Sequence, residues 1–137
     1  MAKSVKDAMT ADPCTIDADR PVAYAAKMMK QEDVGLAPVV EEGRLLGTLT
    51  DRDITVRVVA EGRDPESTPV REVASTDVVT VEPTQDLDDA LKLMAKHQVR
   101  RLPVVEGDRL VGVLAQADVA RQSDDAKTGE VVEQISR

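Results

Sequence analysis

The chain has 137 residues, a formal net charge of −8 and 42% hydrophobic residues, which are almost wholly aliphatic: Tyr24 is the one aromatic, and Phe and Trp are absent. The negative balance excludes a general nucleic-acid binder, whose affinity comes from neutralising phosphates, and the missing aromatics remove the platform on which unpaired bases stack. A single cysteine, Cys14, excludes an internal disulfide and any metal site built on Cys pairs. With no apolar leader and no run long enough to span a bilayer, the expected setting is cytoplasmic and off the membrane.

In chain order, "VKDAM" after Ser4 reads as a short lead helix, and 14–17 ("CTID") as a short extended piece. Val22, Ala25, Ala26 and Met29 follow the i, i+3, i+4, i+7 spacing of a helix face, with Asp19 as the expected N-cap and Pro21 tolerated in the first turn. "APVV" and "RLLGTL" flank a turn at Gly43 and read as a hairpin. A last helix starts near Thr50 and is ended by Gly62, and 62–69 ("GRDPESTP") reads as a linker.

The whole order then recurs. A constant offset of 65 places Pro38 on Pro103, Val39–Val40 on Val104–Val105, Gly47 on Gly112 and Asp53 on Asp118 without a gap. The second copy repeats the lead helix ("VREVA" after Pro69) and the extended piece at 79–82. Its core helix carries Leu87, Ala90, Leu91 and Met94, with Thr84 as its N-cap. A hairpin turning at Gly107–Asp108 and a helix from Ala115 complete it. Two small halves sharing a core are expected, because either alone would bury little apolar surface. The expected division is repeat 1 over 1–65, repeat 2 over 66–124 and a C-terminal helix over 125–137, where "VVEQIS" echoes the lead helices. Met29 and Met94 sit at helical spacing as core filler, and His97 at a helix end has no Ser or Cys partner pattern for catalysis. Clustered acids are solvated surface by default, so no dedicated metal site is expected.

The residues that carry chemistry lie where the hairpin enters the last helix. Thr50-x-x-Asp53 has the spacing of a capping box, with the hydroxyl at N-cap and a carboxylate at N3. The same geometry suits a ligand: free N–H groups at a helix start favour phosphate, and a carboxylate one turn in accepts from vicinal ribose hydroxyls. In the second copy Ala115 lacks the hydroxyl, and Arg100 stands where the first copy has Gly35. Arg100 and Arg101 read either as guanidinium donors compensating for that loss or as a solvated strand edge.

A tandem pair of such units, each with a "PVV…G…G" hairpin and a following T-x-x-D, resembles the CBS-domain pair, also called the Bateman module. "VKDAMT", "LTDRDI" and "HQVRRLPVV" are most similar to small stand-alone bacterial CBS-pair proteins of the hypoxic-response type. The resemblance covers Val5 to about Arg121. It implies an α/β (α+β) fold of two β-α-β-β-α repeats packed about a pseudo-twofold axis. It also implies a non-catalytic regulatory homodimer acting on an unknown partner protein, with no required cofactor. An adenosine-containing ligand (AMP, ADP, ATP or S-adenosylmethionine) is implied in the cleft between repeats. Carried over residue by residue, Thr50 meets phosphate, Asp53 and Asp118 meet ribose, and Gly35 and Pro38 line the adenine pocket. Pro103, Arg100 and Arg101 are the counterparts in the second copy, and Thr15 and Thr80 supply the extended segments.

Overall fold

A helix start leaves N–H groups that need acceptors, and the two core helices find theirs in backbone from elsewhere in the chain. In the computed structural model, which describes residues 3–122, the core helix α2 (Val22–Glu32) begins after Pro21 with no side-chain cap. Its first N–H groups donate instead to the carbonyls of Thr68 (2.9 Å, from Val22) and Pro65 (3.0 Å, from Ala23). Its counterpart α4 (Leu87–His97) begins after Asp86, and Leu87 donates to the Lys3 carbonyl at 2.9 Å. The expected caps Asp19 and Thr84 are therefore corrected. Asp19 receives the Arg71 guanidinium at 2.7 and 2.9 Å instead. Arg71 also bonds Glu41, and the two carboxylates hold its pKa above the usual arginine range. The expected linker is in fact packed: Thr68 is buried, and its hydroxyl donates to the Asp64 carbonyl at 2.7 Å.

The chain divides into two compact units, and they cut across the repeat boundaries. One unit is residues 14–78. Its sheet runs β2 (Ile16–Asp17), β3 (Leu36–Glu41), β4 (Arg44–Thr50), with β2 parallel to β3 and β3 antiparallel to β4. Packed on it are α2, the short helix α3 (Asp51–Ile54) continuing as a π turn (Thr55–Val59), and a 3₁₀ turn (Val70–Glu72). The other unit joins, among the described residues, 3–13 to 79–122. Its sheet orders β1 (Thr10–Ala11), β6 (Arg109–Ala115), β5 (Arg101–Glu106), and its helices are α1 (Val5–Ala8), α4 and α5 (Gln116–Gln122). Each unit thus takes the body of one repeat and the lead segment of the other: Val5 and Ala8 pack with Leu87, Leu91 and Met94, while Val70, Val73 and Ala74 pack with Ile16, Val22 and Met29. A division at 65/66 assigns each lead helix to its own copy. The compact units are divided differently from the repeats because the lead segments complete a core by burial, which sequence adjacency does not specify. The expected C-terminal helix at 125–137 lies outside the described residues.

Glycine in the second hairpin strand follows from this arrangement. Ser75 runs beside β4, exchanging two backbone bonds with Thr48 (2.8 and 2.9 Å). A Cβ on Gly47 would sit 2.2 Å from the Ser75 carbonyl oxygen. On Gly112 it would meet the Thr10 carbonyl oxygen and the Met9 sulfur, both at 2.8 Å, because β1 runs beside β6 in the same way. Both hairpins also carry a register shift at the same place, Val39/Val40 and Val104/Val105. Both core helices end on a left-handed residue, Asp33 (φ 54°) and Gln98 (φ 54°). The predicted core faces are buried except at Ala26, which is half-buried.

Two outcomes test this account. Gly47→Ala should lose about 1–3 kcal/mol in urea unfolding, since backbone must move to admit the methyl group. The cap of α1 should be acid-sensitive: Asp7 accepts from the Ser4 N–H (3.0 Å) and hydroxyl (3.1 Å), and these bonds hold its carboxyl below its ordinary pKa. A lowered folded pKa adds stability above the unfolded value, which disappears as pH falls through the folded one. The stability gap between wild type and Asp7→Ala should therefore be widest near neutrality and close below about pH 4.

Candidate functional site

β4 delivers Thr50 to the start of α3 in an extended conformation (φ −114°, ψ 162°), so its side chain turns back over the helix end. The Asp53 N–H donates to Thr50 Oγ1 at 3.0 Å, and the Thr50 N–H donates to Asp53 Oδ2 at 3.0 Å. The capping box expected from spacing is present in full. Asp53 is buried, 8% exposed, and its other oxygen is also engaged: Ser75 Oγ donates to Oδ1 at 3.0 Å, with Arg57 Nε 3.9 Å away. Arg57 in turn donates to the Val73 and Ala74 carbonyls (3.2 and 3.3 Å). The carboxylate therefore ties α3 to the 70–75 segment.

Gly35 lies against the same turn. Its carbonyl accepts from the Asp51 N–H at 3.1 Å, and a Cβ there would come within 3.2 Å of Asp51 Oδ2. Pro38 is buried in β3 opposite Thr48, and Thr15 is exposed just ahead of β2. The structure thus gathers Thr50, Asp53 and Gly35 directly, sets Pro38 in the strand floor, and leaves Thr15 at the strand's entrance.

The other unit repeats the frame with different side chains. Ala115 ends β6 with no hydroxyl to offer, and half-buried Asp118 accepts from Thr10 Oγ1 at 3.5 Å, the limit of a hydrogen bond. The carbonyl of exposed Arg100 accepts from the Gln116 N–H at 2.8 Å, as Gly35 does from Asp51. Arg101 opens β5 directly opposite Ala115. Thr80 is half-buried beside Val81, whose N–H donates to the carbonyl of buried Pro103 at 3.1 Å. Both arginines therefore lie at the strand start next to the position that lost its hydroxyl.

Two features escaped the sequence reading. One is the hydroxyl on each carboxylate, Ser75 on Asp53 and Thr10 on Asp118, which the 65-residue offset pairs with one another. The other is a cavity of about 440 Å³ in the 14–78 unit, between α2 and α3, beside Gly35 and Asp51. Among the described residues no group of three His, Cys, Asp or Glu side chains gathers as a metal site, and no helix is long and apolar enough to cross a membrane.

The CBS-domain family profile matches residues 5–60 and 70–125. The chain belongs to the CBS-domain family, as a tandem pair. It is 48% identical over 134 residues to the CBS domain-containing protein YhcV of Bacillus subtilis, covering 97% of this chain and 95% of that one. It is 35% identical over 119 residues to Hypoxic response protein 1 of Mycobacterium tuberculosis, covering 86% and 83%. A crystal structure of Hypoxic Response Protein I with two coordinated zinc ions superposes with a TM-score of 0.80 at 34% identity, covering 88% of this chain and 99% of that one. A hexameric CBS-CP12 protein from bloom-forming cyanobacteria gives 0.72 at 30% identity, covering 93% and 75%. CBS pairs are generally regulatory, nucleotide-binding modules, typically without catalytic activity of their own.

Thr50→Ala gives the first repeat the residue that the second already has. It should fold, lose about 0.5–2 kcal/mol in urea unfolding as one cap bond disappears, and leave the Ser75–Asp53 tie in place.

Proposed function

We propose that this chain is a non-catalytic regulatory module whose first repeat binds an adenosine-containing ligand at Thr50, Asp53 and Gly35. The observation that carries the reading is the asymmetry between copies. The repeat with the full hydroxyl–carboxylate cap also has glycine rather than arginine at the neighbouring strand entrance, leaving backbone accessible to a flat base. Asp53 is oriented by the Thr50 N–H, and its Oδ1 holds one hydroxyl, that of Ser75. A ribose hydroxyl replaces that hydroxyl with little change in hydrogen-bond count. Thr50 adds a hydroxyl for a phosphate or other polar arm. The ligand acts by population shift, stabilising whichever surface state it binds better, and a partner protein reads that surface.

The setting we assign is cytoplasmic, and the assembly a homodimer. Val56 and Val59 support self-association, for they stand 43% and 68% exposed on the turns after α3, where a monomer gains nothing from apolar side chains. A second reading, a ligand-free interaction dimer, draws on the buried state of Asp53, whose two oxygens are already bonded.

Thermal unfolding against AMP, ADP, ATP and S-adenosylmethionine separates the two. A ligand at a hundred times its Kd adds about 2.7 kcal/mol, a rise on the order of 10 °C for a chain of this size. The expected result is a rise with at least one adenosine compound, abolished by Asp53→Ala. No rise with any of them leaves Thr50 and Asp53 as a helix cap and sinks the sensor reading.

A further inference from the structure

A carboxylate that is 8% exposed needs its acceptors filled, because an unmet charge costs more than an unmet neutral group. Asp53 Oδ2 is filled by the Thr50 N–H within the cap. Oδ1 is filled from 22 residues away, by the Ser75 hydroxyl at 3.0 Å. The cap does not require this bond, for Thr50 and Asp53 complete the box between themselves. Arg57 Nε stands 3.9 Å from the same oxygen, while its Nη1 donates to the Val73 and Ala74 carbonyls. The guanidinium is therefore held beside Asp53 independently of Ser75. The Ser75 hydroxyl can leave without stripping the carboxylate of its countercharge.

Ser75 is also lightly held. Its backbone meets β4 in an isolated bridge, the two bonds exchanged with Thr48, and residues 76–80 beyond it take no regular secondary structure. Ser75 is half-buried, and Thr76 and Asp77 are exposed. The unit that contains Asp53 ends at Val78, so Ser75 lies just before the chain leaves it. The arrangement recurs at the 65-residue offset, where the Thr10 hydroxyl reaches Asp118 and β1 makes a two-residue pairing with β6. A hydroxyl placed on the carboxylate by a short pairing is thus built twice into the fold, as serine once and threonine once.

We propose that the Ser75 hydroxyl is an internal competitor for the ligand: it holds on Asp53 Oδ1 the position that a ribose hydroxyl takes, so that binding displaces it and opens the Ser75–Thr48 bridge. The proposal rests on the adenosine reading of the site and adds to it a residue that sets affinity and passes the binding event to the exit of the unit. A compound without the vicinal hydroxyls leaves Ser75 on Asp53, whatever else it contacts.

Calorimetric titration of the full chain tests this with adenosine and 2′,3′-dideoxyadenosine, which lacks both ribose hydroxyls. Ser75→Ala removes the competitor and should tighten adenosine by about tenfold, the size of one hydrogen bond to a charged acceptor. It should leave dideoxyadenosine unchanged. Ser75→Thr keeps a hydroxyl, as Thr10 does, and should bind adenosine as the wild type does. Amide exchange on the wild-type protein adds a measurement that needs no variant. Saturation with adenosine should lower protection severalfold at the Ser75 and Thr48 N–H groups. The Ala18 N–H, bonded to the Val40 carbonyl on the β2 side of the sheet, should keep its own. Adenosine bound no more tightly by a folded Ser75→Ala than by wild type overturns the proposal, since Oδ1 then accepts both hydroxyls together. An equal gain for dideoxyadenosine overturns it too, because the effect is then one of space. Protection that holds or rises at Ser75 and Thr48 does the same. Each of these results leaves the adenosine site standing, whereas adenosine binding to neither wild type nor Ser75→Ala removes the site and the competitor with it.

Discussion

The constraint on which the rest depends is the contact of a lead segment with the second strand of a hairpin. Ser75 beside β4 and Thr10 beside β1's partner strand β6 satisfy backbone groups that an open strand would leave to solvent or to another chain. The contact is so close that the strand must carry glycine, Gly47 or Gly112, where it is made. The same segments bring in Val70 and Val73, or Val5 and Ala8, to close each apolar core. Burial of each such valine contributes about 1.5–3 kcal/mol relative to exposure. A unit without its lead segment would lose strand pairing and core together.

That contact also reaches the candidate site. Ser75 is the residue that pairs with β4, and its hydroxyl is the one bonded to Asp53. One residue therefore holds both the sheet edge and the carboxylate proposed to take a ribose. The arrangement gives a physical route from ligand to backbone: a group that replaces the Ser75 hydroxyl on Asp53 bears directly on the strand pairing that Ser75 makes. In the other unit the matching bond, Thr10 to Asp118, is longer at 3.5 Å.

Duplication followed by divergence explains why one fold carries two different surfaces. The parallel pairings Ile16–Val39 and Val81–Val104, the register shifts and the left-handed helix ends recur at the same offset, since each is fixed by backbone geometry. Among the positions that diverge, Thr50 and Ala115, Ala26 and Leu91, and Gly35 and Arg100 lie near one helix start in each unit. Core positions differ too but stay aliphatic, as Ile16 and Val81, Val22 and Leu87, and Ala37 and Leu102 do, because burial tolerates a change of size better than an unpaired polar group.

The sequence by itself determined the repeat, its offset, the hairpins and the core faces, because each is written in local periodicity and turn chemistry. It also determined the Thr50–Asp53 cap, since a hydroxyl and a carboxylate three residues apart at a helix start meet within a single turn. Membership of the CBS family was legible from the same residues. Tertiary structure decided the rest. Asp19 reads as a cap in sequence, yet α2 starts later and donates to Thr68 and Pro65, because a backbone carbonyl supplied by a distant segment meets the need as well as a side chain does. The lead helices read as belonging to their own copies, but apolar pattern specifies that a face be buried and not which core buries it. Ser75 and Asp53 are too far apart in the chain for local pattern to pair them, and a cavity is a property of packed volume. Only the folded chain shows that Ala26, an ordinary core residue by its spacing, is half-buried and lines a cavity.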